Sequence, residues 1–255
     1  MKKCLLLSCL LISAAAVPTR AQIVLGNPTD AVTDESQPDN YLVVHNGYIL
    51  SFNHSRNASN WVTWHLSGSD IGNVKRTDAF APDDKLPADW RISGDTFGST
   101  YDRGHMCPSE DRTDTVANNR ETFLMSNMEP QLGKLNRGTW KSLESYVQGL
   151  AKSGFEAYLY AGCYGKNGVV NGKVVVPTHC WKIVIILPEG NNDKRRITCN
   201  TRVIAVDMPN EDPIKSGWRN YRTSISKIEA ATGYQFLSTL SAAKQACLKS
   251  KIDDN

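Results

Sequence analysis

The chain has 255 residues, with 29 Lys and Arg against 26 Asp and Glu, and a formal net charge of +3 at pH 7. This length is enough for one sizeable core and does not require two domains. Three basic residues, Lys2, Lys3 and Arg20, lie in a predicted signal segment whose removal would leave equal numbers of both signs. This balance excludes a uniformly basic nucleic-acid-binding protein, so attraction for nucleic acid would have to come from a local arrangement of Arg and Lys.

The chain begins with a pattern typical of a secretory signal peptide. Two lysines precede an apolar run over residues 5–17, and Ala21 is a small residue at the expected cleavage point. A membrane span needs about 20 apolar residues, so this run is too short for an anchor. We expect residues 1–21 to be removed and the mature chain to be secreted, extracellular or periplasmic, without a membrane partner.

Five cysteines remain after that cleavage, an odd number that leaves at least one thiol outside an intrachain pair. They are Cys107, Cys163, Cys180, Cys199 and Cys247. Export makes disulfides plausible, and Cys163 and Cys180 bracket the connection between two predicted neighbouring strands, so we predict a bridge between them. The chain has no Cys-x-x-Cys spacing, which argues against a structural zinc site.

The predicted elements begin after a polar segment, residues 22–40, which we expect to be a flexible leader to a single domain over residues 41–255. Two strand-like runs at 41–44 and 48–52 flank Asn46-Gly47 and predict a hairpin. A third strand is predicted at 60–66. Residues 71–100 are mostly irregular, and a loop of this length is usually functional.

Helices are predicted in the second half of the chain over residues 118–125 and 139–152, the latter ending at Gly154. Strands are predicted at 156–161, 181–187 and 197–206, followed by a helix at 241–249. This order indicates an α+β domain in which helices flank a central antiparallel sheet.

Residues 101–113 bring one imidazole, two guanidinium groups and three carboxylates together. Phosphodiester hydrolysis needs a base for water, cations for the phosphate, and an acid or metal at the leaving oxygen. His105 can be that base near neutral pH, and Arg103 can clamp the phosphate. A solvated charged loop is the alternative interpretation of this segment.

Two amides, Asn127 and Asn136, follow on either side of Pro130. An amide oxygen is a hard, neutral ligand suited to Mg²⁺, which keeps most of its waters in protein sites. Glu144 lies eight residues after Asn136, on the predicted helix, where it could hydrogen-bond to waters of the metal.

The chain resembles the DNA/RNA non-specific endonuclease family, whose members have an Asp-Arg-Gly-His signature and a ββα-metal active site. The tetrapeptide at 102–105 matches the signature, but a motif this short also occurs in unrelated proteins. Further matching segments follow in the family's order: residues 123–131, Asn136, Trp140 with Glu144, residues 176–182 and residues 200–206.

The resemblance implies a Mg²⁺-dependent endonuclease that cleaves both DNA and RNA, with Mn²⁺ or another divalent ion as a possible substitute. It assigns His105 as the general base and Asn136 as the metal ligand. The metal ion bound by Asn136 would stabilise the leaving 3′ oxygen. The further residues that it places in the active site are Arg103, Glu144 and Asn127, with Arg76 and Arg103 contacting the substrate phosphate.

Two other functions remain open from the sequence. A cysteine hydrolase would pair Cys107 with His105 or His179, but no nucleophile signature surrounds Cys107, which we expect to be buried or disulfide-bonded. A non-catalytic nucleic-acid-binding or adhesive extracellular domain with the same fold would be favoured if His105, Asn136 or Arg103 were missing, and all three are present. The remaining histidines, His45, His54, His65 and His179, are expected to be structural. The oligomeric state is not predicted.

Overall fold

The computed structural model describes residues 23–255, so the predicted signal peptide lies outside the described residues. The strands are β1 (Tyr41–Val44), β2 (Ile49–Asn53), β3 (Ala58–Leu66), β4 (Asp102–His105), β5 (Met128–Gln131), β6 (Phe155–Tyr164), β7 (Val169–Val170), β8 (Val174–Val175), β9 (His179–Pro188) and β10 (Arg202–Pro209). The helices are α1 (Val116–Glu121), α2 (Lys141–Lys152), α3 (Asp193–Arg196), α4 (Ile225–Thr232) and α5 (Ala242–Lys249).

Six strands form the central sheet in the order β1-β2-β3-β6-β9-β10, and every neighbouring pair is antiparallel. Apolar side chains are buried on both faces of this sheet. α2 covers one face through Leu143 and Val147, whereas α4 and α5 cover the other through Ile225 and Leu248. Strands buried on both faces have almost continuous apolar sequences, which explains the run of buried residues along β9.

A second, two-stranded sheet lies on the α2 side of the domain. β4 and β5 pair antiparallel, with Gly104 opposite Glu129 and His105 opposite Met128. The chain then makes a wide π-helical turn over Leu135–Trp140 and continues into α2. Met106, Leu135 and Trp140 anchor this unit in the same apolar cluster as the α2 residues. Two strands and a helix therefore hold the Asp-Arg-Gly-His segment against the central sheet.

Most predicted elements are confirmed, with shifted ends. The hairpin forms about Asn46-Gly47, and α2 ends before Gly154, whose φ of 86° suits a left-handed helix stop. The strand predicted at 197–206 is wrong in its first half, because Thr198 accepts a turn hydrogen bond from Thr201 N at 3.0 Å and delays the strand. The sequence patterns missed α3, α4 and the β4–β5 and β7–β8 pairs.

Residues 23–40 pack on the domain, in contrast to the flexible leader expected from their polar composition. Leu25 is fully buried, and its neighbour Val24 accepts a hydrogen bond at 2.8 Å from the hydroxyl of Thr239. The main-chain nitrogen of Gln235 also donates to Pro28 O at 2.9 Å. A short apolar start to this segment is therefore enough to hold it against the sheet.

Two disulfides and one free thiol account for the cysteines of the described chain. The predicted Cys163–Cys180 bridge is confirmed, and it joins directly opposed positions of β6 and β9. A second bridge, Cys199–Cys247, was not predicted. Cys107 is free and buried. Between residues 23 and 255 the helices are all too short or too polar to cross a lipid bilayer.

Candidate active site

A cleft of about 550 Å³ opens where β4, the wide turn and the start of α2 meet. The structure brings five of the six predicted site residues to its walls, although they come from four separate parts of the chain. These residues are Arg76, Arg103, His105, Asn136 and Glu144.

His105 lies at the end of β4, on the same face of the strand as Arg103, because alternate residues of a strand share a face. The imidazole packs edge-on against Phe123 with ring centroids 4.9 Å apart, and its side chain is 8% exposed. Burial, with the nearby positive charge of Arg76, lowers the pKa of His105 to about 3, although a hydrogen bond to the main chain of Arg103 opposes this shift. The ring is therefore neutral near pH 7, and Nε2 has no hydrogen-bond partner among the described residues.

Two arginines flank the imidazole, each lying over an aromatic ring. The guanidinium carbon of Arg103 is 3.9 Å from the centroid of Phe80, and that of Arg76 is 4.8 Å from the centroid of Phe123. Arg76 also pairs with Asp78, its Nε 2.7 Å from Oδ1. The rings support the two guanidinium groups from one face, and the donors that protein partners do not use remain able to reach a phosphate. The cleft thus has two arginines placed to bind a phosphate, although its walls also carry the carboxylates of Asp78, Asp102, Glu110 and Glu144.

Asn136 lies in the wide turn before α2, where its side chain is held by a carboxylate. Its Nδ2 donates to Oδ2 of Asp102 at 3.0 Å, and Nε of Arg137 lies 3.1 Å from the same oxygen. Since the amide nitrogen is used in this way, Oδ1 is the atom of Asn136 suited to bind a cation. The orienting roles of Asp102 and Arg137 were not predicted from the sequence.

Glu144 faces the cleft from the first turn of α2 and forms an ion pair with a buried lysine. Its Oε1 lies 3.1 Å from Nζ of Lys182, and the two side chains are 12% and 1% exposed. Burial raises the pKa of Glu144 to about 7, against the lowering effect of Lys182, and Asp111 raises it further. A role for Lys182 was not predicted from the sequence, although a charged residue inside the apolar run of β9 was a signal for it.

Comparisons with known proteins agree with this geometry. The family model for the DNA/RNA non-specific endonucleases matches residues 25–243. A nuclease of Nostoc sp. is 46% identical over 235 residues, which cover 91% of this chain and 86% of the relative. The chain belongs to the DNA/RNA non-specific endonuclease family. It is therefore a nuclease from a family of metal-dependent phosphodiester hydrolases.

More distant relatives share the fold. Human mitochondrial endonuclease G is 29% identical over 214 residues, covering 76% of this chain and 69% of the relative. The solved structure of an EndoG/EndoGI complex, described as showing the mechanism of EndoG inhibition, matches with a TM-score of 0.71 and 23% identity. That match covers 87% of this chain and 92% of the other. The ββα-metal nuclease fold, with a central antiparallel sheet and flanking helices, is confirmed.

Asn127 is the predicted site residue that this nuclease does not place in the cleft. Its side chain is fully buried. Its Oδ1 accepts from Cys107 N at 2.9 Å, and its Nδ2 donates to Cys107 O and Thr122 O at 2.9 and 2.8 Å. These contacts correct the direct catalytic role that was expected for Asn127, because its amide group is fully used in hydrogen bonds to the main chain. Asn127 holds the segment that follows His105.

Cys107 is unsuited to the nucleophile role considered for a cysteine hydrolase. It is fully buried in the apolar cluster beneath α2, and it is not a wall residue of the cleft. Burial also raises the pKa of its thiol strongly. A reactive cysteine needs an accessible thiolate, so the nuclease family and the local geometry agree in excluding this thiol from the chemistry.

The other four histidines have structural partners, as predicted. His45 and His65 pair with Asp83 and Glu156 at 2.9 and 3.0 Å. His54 stacks on Trp90, and His179 stacks on Tyr164. None of these four histidines lines the cleft of the described chain.

Proposed function

We propose that this nuclease is a Mg²⁺-dependent, sugar-nonspecific endonuclease that hydrolyses phosphodiester bonds in DNA and RNA with His105 as its general base. One observation carries the proposal: the cleft holds a neutral imidazole, whose Nε2 has no partner among residues 23–255, together with two arginines and a partly buried carboxylate. A base, phosphate-binding cations and a place for a hard metal ion are the three requirements of this hydrolysis.

The residues of the cleft fit a hard divalent cation. Oδ1 of Asn136 is a neutral oxygen ligand whose amide is already oriented by Asp102, and the carboxylate of Glu144 is available for water molecules around an ion. Mg²⁺ prefers few protein ligands and keeps several waters, and Mn²⁺ accepts similar oxygen donors. When bound, the ion would stabilise negative charge on the leaving 3′ oxygen and provide that oxygen with a proton from one of its waters.

The protein's own residues supply the remaining steps. Nε2 of His105 takes a proton from the water that attacks phosphorus, which its neutral state allows at physiological pH. Arg103 and Arg76 bind the non-bridging phosphate oxygens and stabilise the charge that develops on them. These contacts involve the phosphate and neither the sugar nor the bases, which supports low selectivity between DNA and RNA and low sequence specificity.

We also propose that the mature protein is exported. The basic start, the apolar run and Ala21 support this assignment. Two disulfides in the described chain are of the kind that persists in oxidising compartments.

A cleavage assay tests the proposed function. Purified mature protein is incubated with supercoiled plasmid and, separately, with single-stranded RNA, in Mg²⁺, in EDTA, and in EDTA followed by excess Mg²⁺. We expect both substrates to be cleaved, no cleavage in EDTA, and recovery on adding Mg²⁺. Iodoacetamide should have no effect, because Cys107 is buried.

Each other outcome overturns a stated part of the proposal. Activity that persists in EDTA would contradict the proposed metal dependence. Cleavage of DNA alone would contradict the sugar-nonspecific assignment. Activity that iodoacetamide abolishes points to a thiol mechanism. Binding of either substrate without cleavage under every condition would indicate a non-catalytic domain.

A further inference from the structure

Lys182 occupies a position where the strand pattern calls for an apolar residue. Cys180 and Val184, two residues before and after it on β9, belong to the apolar cluster beneath α2. Alternate residues of a strand share a face, so Lys182 lies on this apolar face, and it is 1% exposed. Burial of an ammonium group is costly unless it is paired, so a specific use of this charge is expected.

The contacts of Lys182 lead directly to the cleft. Its Nζ lies 3.1 Å from Oε1 of Glu144 and 4.2 Å from the ring centroid of Trp140. Trp140 and Glu144 are four residues apart in continuous helical backbone and therefore share a helix face. The ammonium is thus held between the indole and the carboxylate.

Trp140 is itself fixed, which makes it a firm support for the ammonium. Its Nε1 donates to the main-chain oxygen of His105 at 3.1 Å. A second indole, Trp64, has its ring centroid 5.5 Å from Nζ of Lys182. Aromatic faces attract cations most strongly where water is excluded. Lys182 is therefore fixed in place, and it in turn fixes Glu144.

The charges around Glu144 show why a cation is needed there. Asp111 and Glu110, from the turn after β4, both disfavour ionisation of Glu144, and burial acts in the same direction. His105, at the end of β4, is neutral near pH 7 and adds no positive charge. Lys182, from β9, is the group that favours the carboxylate form. A protonated Glu144 would lose the charge with which it attracts cation-bound waters.

We propose that Lys182 is a positioning residue of this nuclease, which holds Glu144 as an oriented carboxylate on the metal-facing wall of the cleft. It acts through Glu144, because its own side chain is closed off from the solvent and the substrate. The proposal rests on the role proposed above for Glu144.

The test compares Lys182→Met with Lys249→Met. Lys249 provides a matched control, because it pairs with Glu229 at 2.7 Å and is itself partly buried, outside the cleft. For Lys182→Met we expect kcat to fall about 10–100-fold, the usual effect of losing a residue that orients a metal site. KM for DNA should stay within about twofold. The Kd for Mg²⁺, measured by calorimetry without substrate, should rise. Lys249→Met should leave all three values unchanged.

A double-mutant cycle separates positioning from a general effect on folding. Glu144→Gln and the combined Lys182→Met/Glu144→Gln variant should have about the same kcat, because Lys182 has nothing to position once the carboxylate is absent. Melting temperatures accompany each assay. The double variant should be more stable than either single variant, because each single change leaves one buried partner alone. If Lys182→Met alone does not fold, the double variant still gives the comparison with Glu144→Gln.

The outcomes distinguish this inference from the proposed function. Full activity of Glu144→Gln would remove the role of Glu144 itself. A Glu144→Gln variant that loses activity beside a Lys182→Met variant with wild-type kcat and Mg²⁺ affinity would overturn the inference about Lys182 alone. If the fold-losses in kcat of the two single variants multiply in the double variant, Lys182 acts independently of Glu144. That result would also overturn the inference about Lys182.

Discussion

At the scale of single residues, the environment of His105 decides which form of the imidazole is present. Its Nε2 has no partner within the described part of the chain, and its neighbours Arg76 and Arg103 are both cations that disfavour a further positive charge. The imidazole therefore remains a proton acceptor across the physiological range. Protonation during the reaction would be eased by the phosphate anion, which lies on the same wall of the cleft in the proposed function.

Metal dependence distinguishes the roles proposed for Asn136 and His105. We expect Asn136→Ala to abolish cleavage at low millimolar Mg²⁺ and to regain part of it at much higher concentrations, because water and phosphate can still hold the ion. His105→Ala should lose about two to four orders of magnitude in rate, without recovery at any Mg²⁺ concentration, since the missing group is a base. Cleavage rates across a Mg²⁺ titration measure both effects.

Two results would contradict these assignments. A wild-type Mg²⁺ titration curve for Asn136→Ala would show that the metal is bound elsewhere. Activity of His105→Ala within threefold of wild type would show that His105 is not the base. Circular dichroism spectra of both variants serve as the folding control.

At the scale of elements, the β4–β5 pair and the segment after it depend on a glycine and on a buried amide. A Cβ at Gly104 would collide with the side chain of Gln131, so only glycine allows this close pairing. Beyond the strand, Asn127 binds both main-chain groups of Cys107. The position of His105 therefore depends on a glycine beside it and on an amide that lies outside the cleft.

Glu129, on β5, gives this element a measurable pH dependence. Burial raises the pKa of its carboxyl to about 8, against the lowering effects of Arg56 and Ser59. Between the unfolded value of 4.5 and this folded value, the native state holds a proton that the unfolded chain has released. The contribution of this group to stability is therefore complete below about pH 4.5 and is lost as the pH rises through about 8.

Glu129→Gln should remove that dependence, because glutamine has a similar shape and does not titrate. We expect its free energy of unfolding to match wild type near pH 4 and to exceed it near pH 8.5, by about 1.4 kcal/mol for each unit of pKa shift removed. Urea unfolding at several pH values measures the difference. The exposed Glu189→Gln variant is the control, and an equal response of both variants would contradict the assignment.

At the scale of the whole molecule, charge and covalent links are unevenly distributed. The mature chain is expected to be neutral overall, and charged residues of both signs are concentrated in the cleft, where Arg76, Arg103, Arg137 and Lys141 lie beside Asp78, Asp102, Glu110 and Glu144. This arrangement places phosphate-binding arginines at defined positions without giving the cleft a net positive charge. The two disulfides lie elsewhere, one within the central sheet and one between Cys199 and α5.

Export predicts a defined mature form. We expect the secreted protein to begin at or near Gln22 and to contain two disulfides and one thiol that reacts with iodoacetamide only after unfolding. Intact mass, amino-terminal sequencing and a non-reducing peptide map measure these features. A protein that retains residues 5–17 would indicate a membrane tether, and free thiols at both Cys163 and Cys180 would contradict the bridge.

The sequence by itself determined those features that depend on local patterns. Alternation about Asn46-Gly47 predicted the hairpin, and helical spacing with a stop at Gly154 predicted α2. The order of the tetrapeptide, Asn136 and Glu144 predicted the family and the cleft residues. Each of these signals lies within a short stretch, where neighbouring residues determine the backbone conformation.

Only the tertiary structure decided how distant parts of the chain meet. Lys182 pairs with Glu144 from 38 positions away, and Asp102 orients Asn136 from 34 positions away. Asn127 has the residue type expected in the site, but its amide faces the main chain of Cys107. Whether a buried charge is paired, or an amide faces a cleft, depends on which faces of the elements pack together. A local pattern carries no record of those contacts, because they form between residues that only folding brings together.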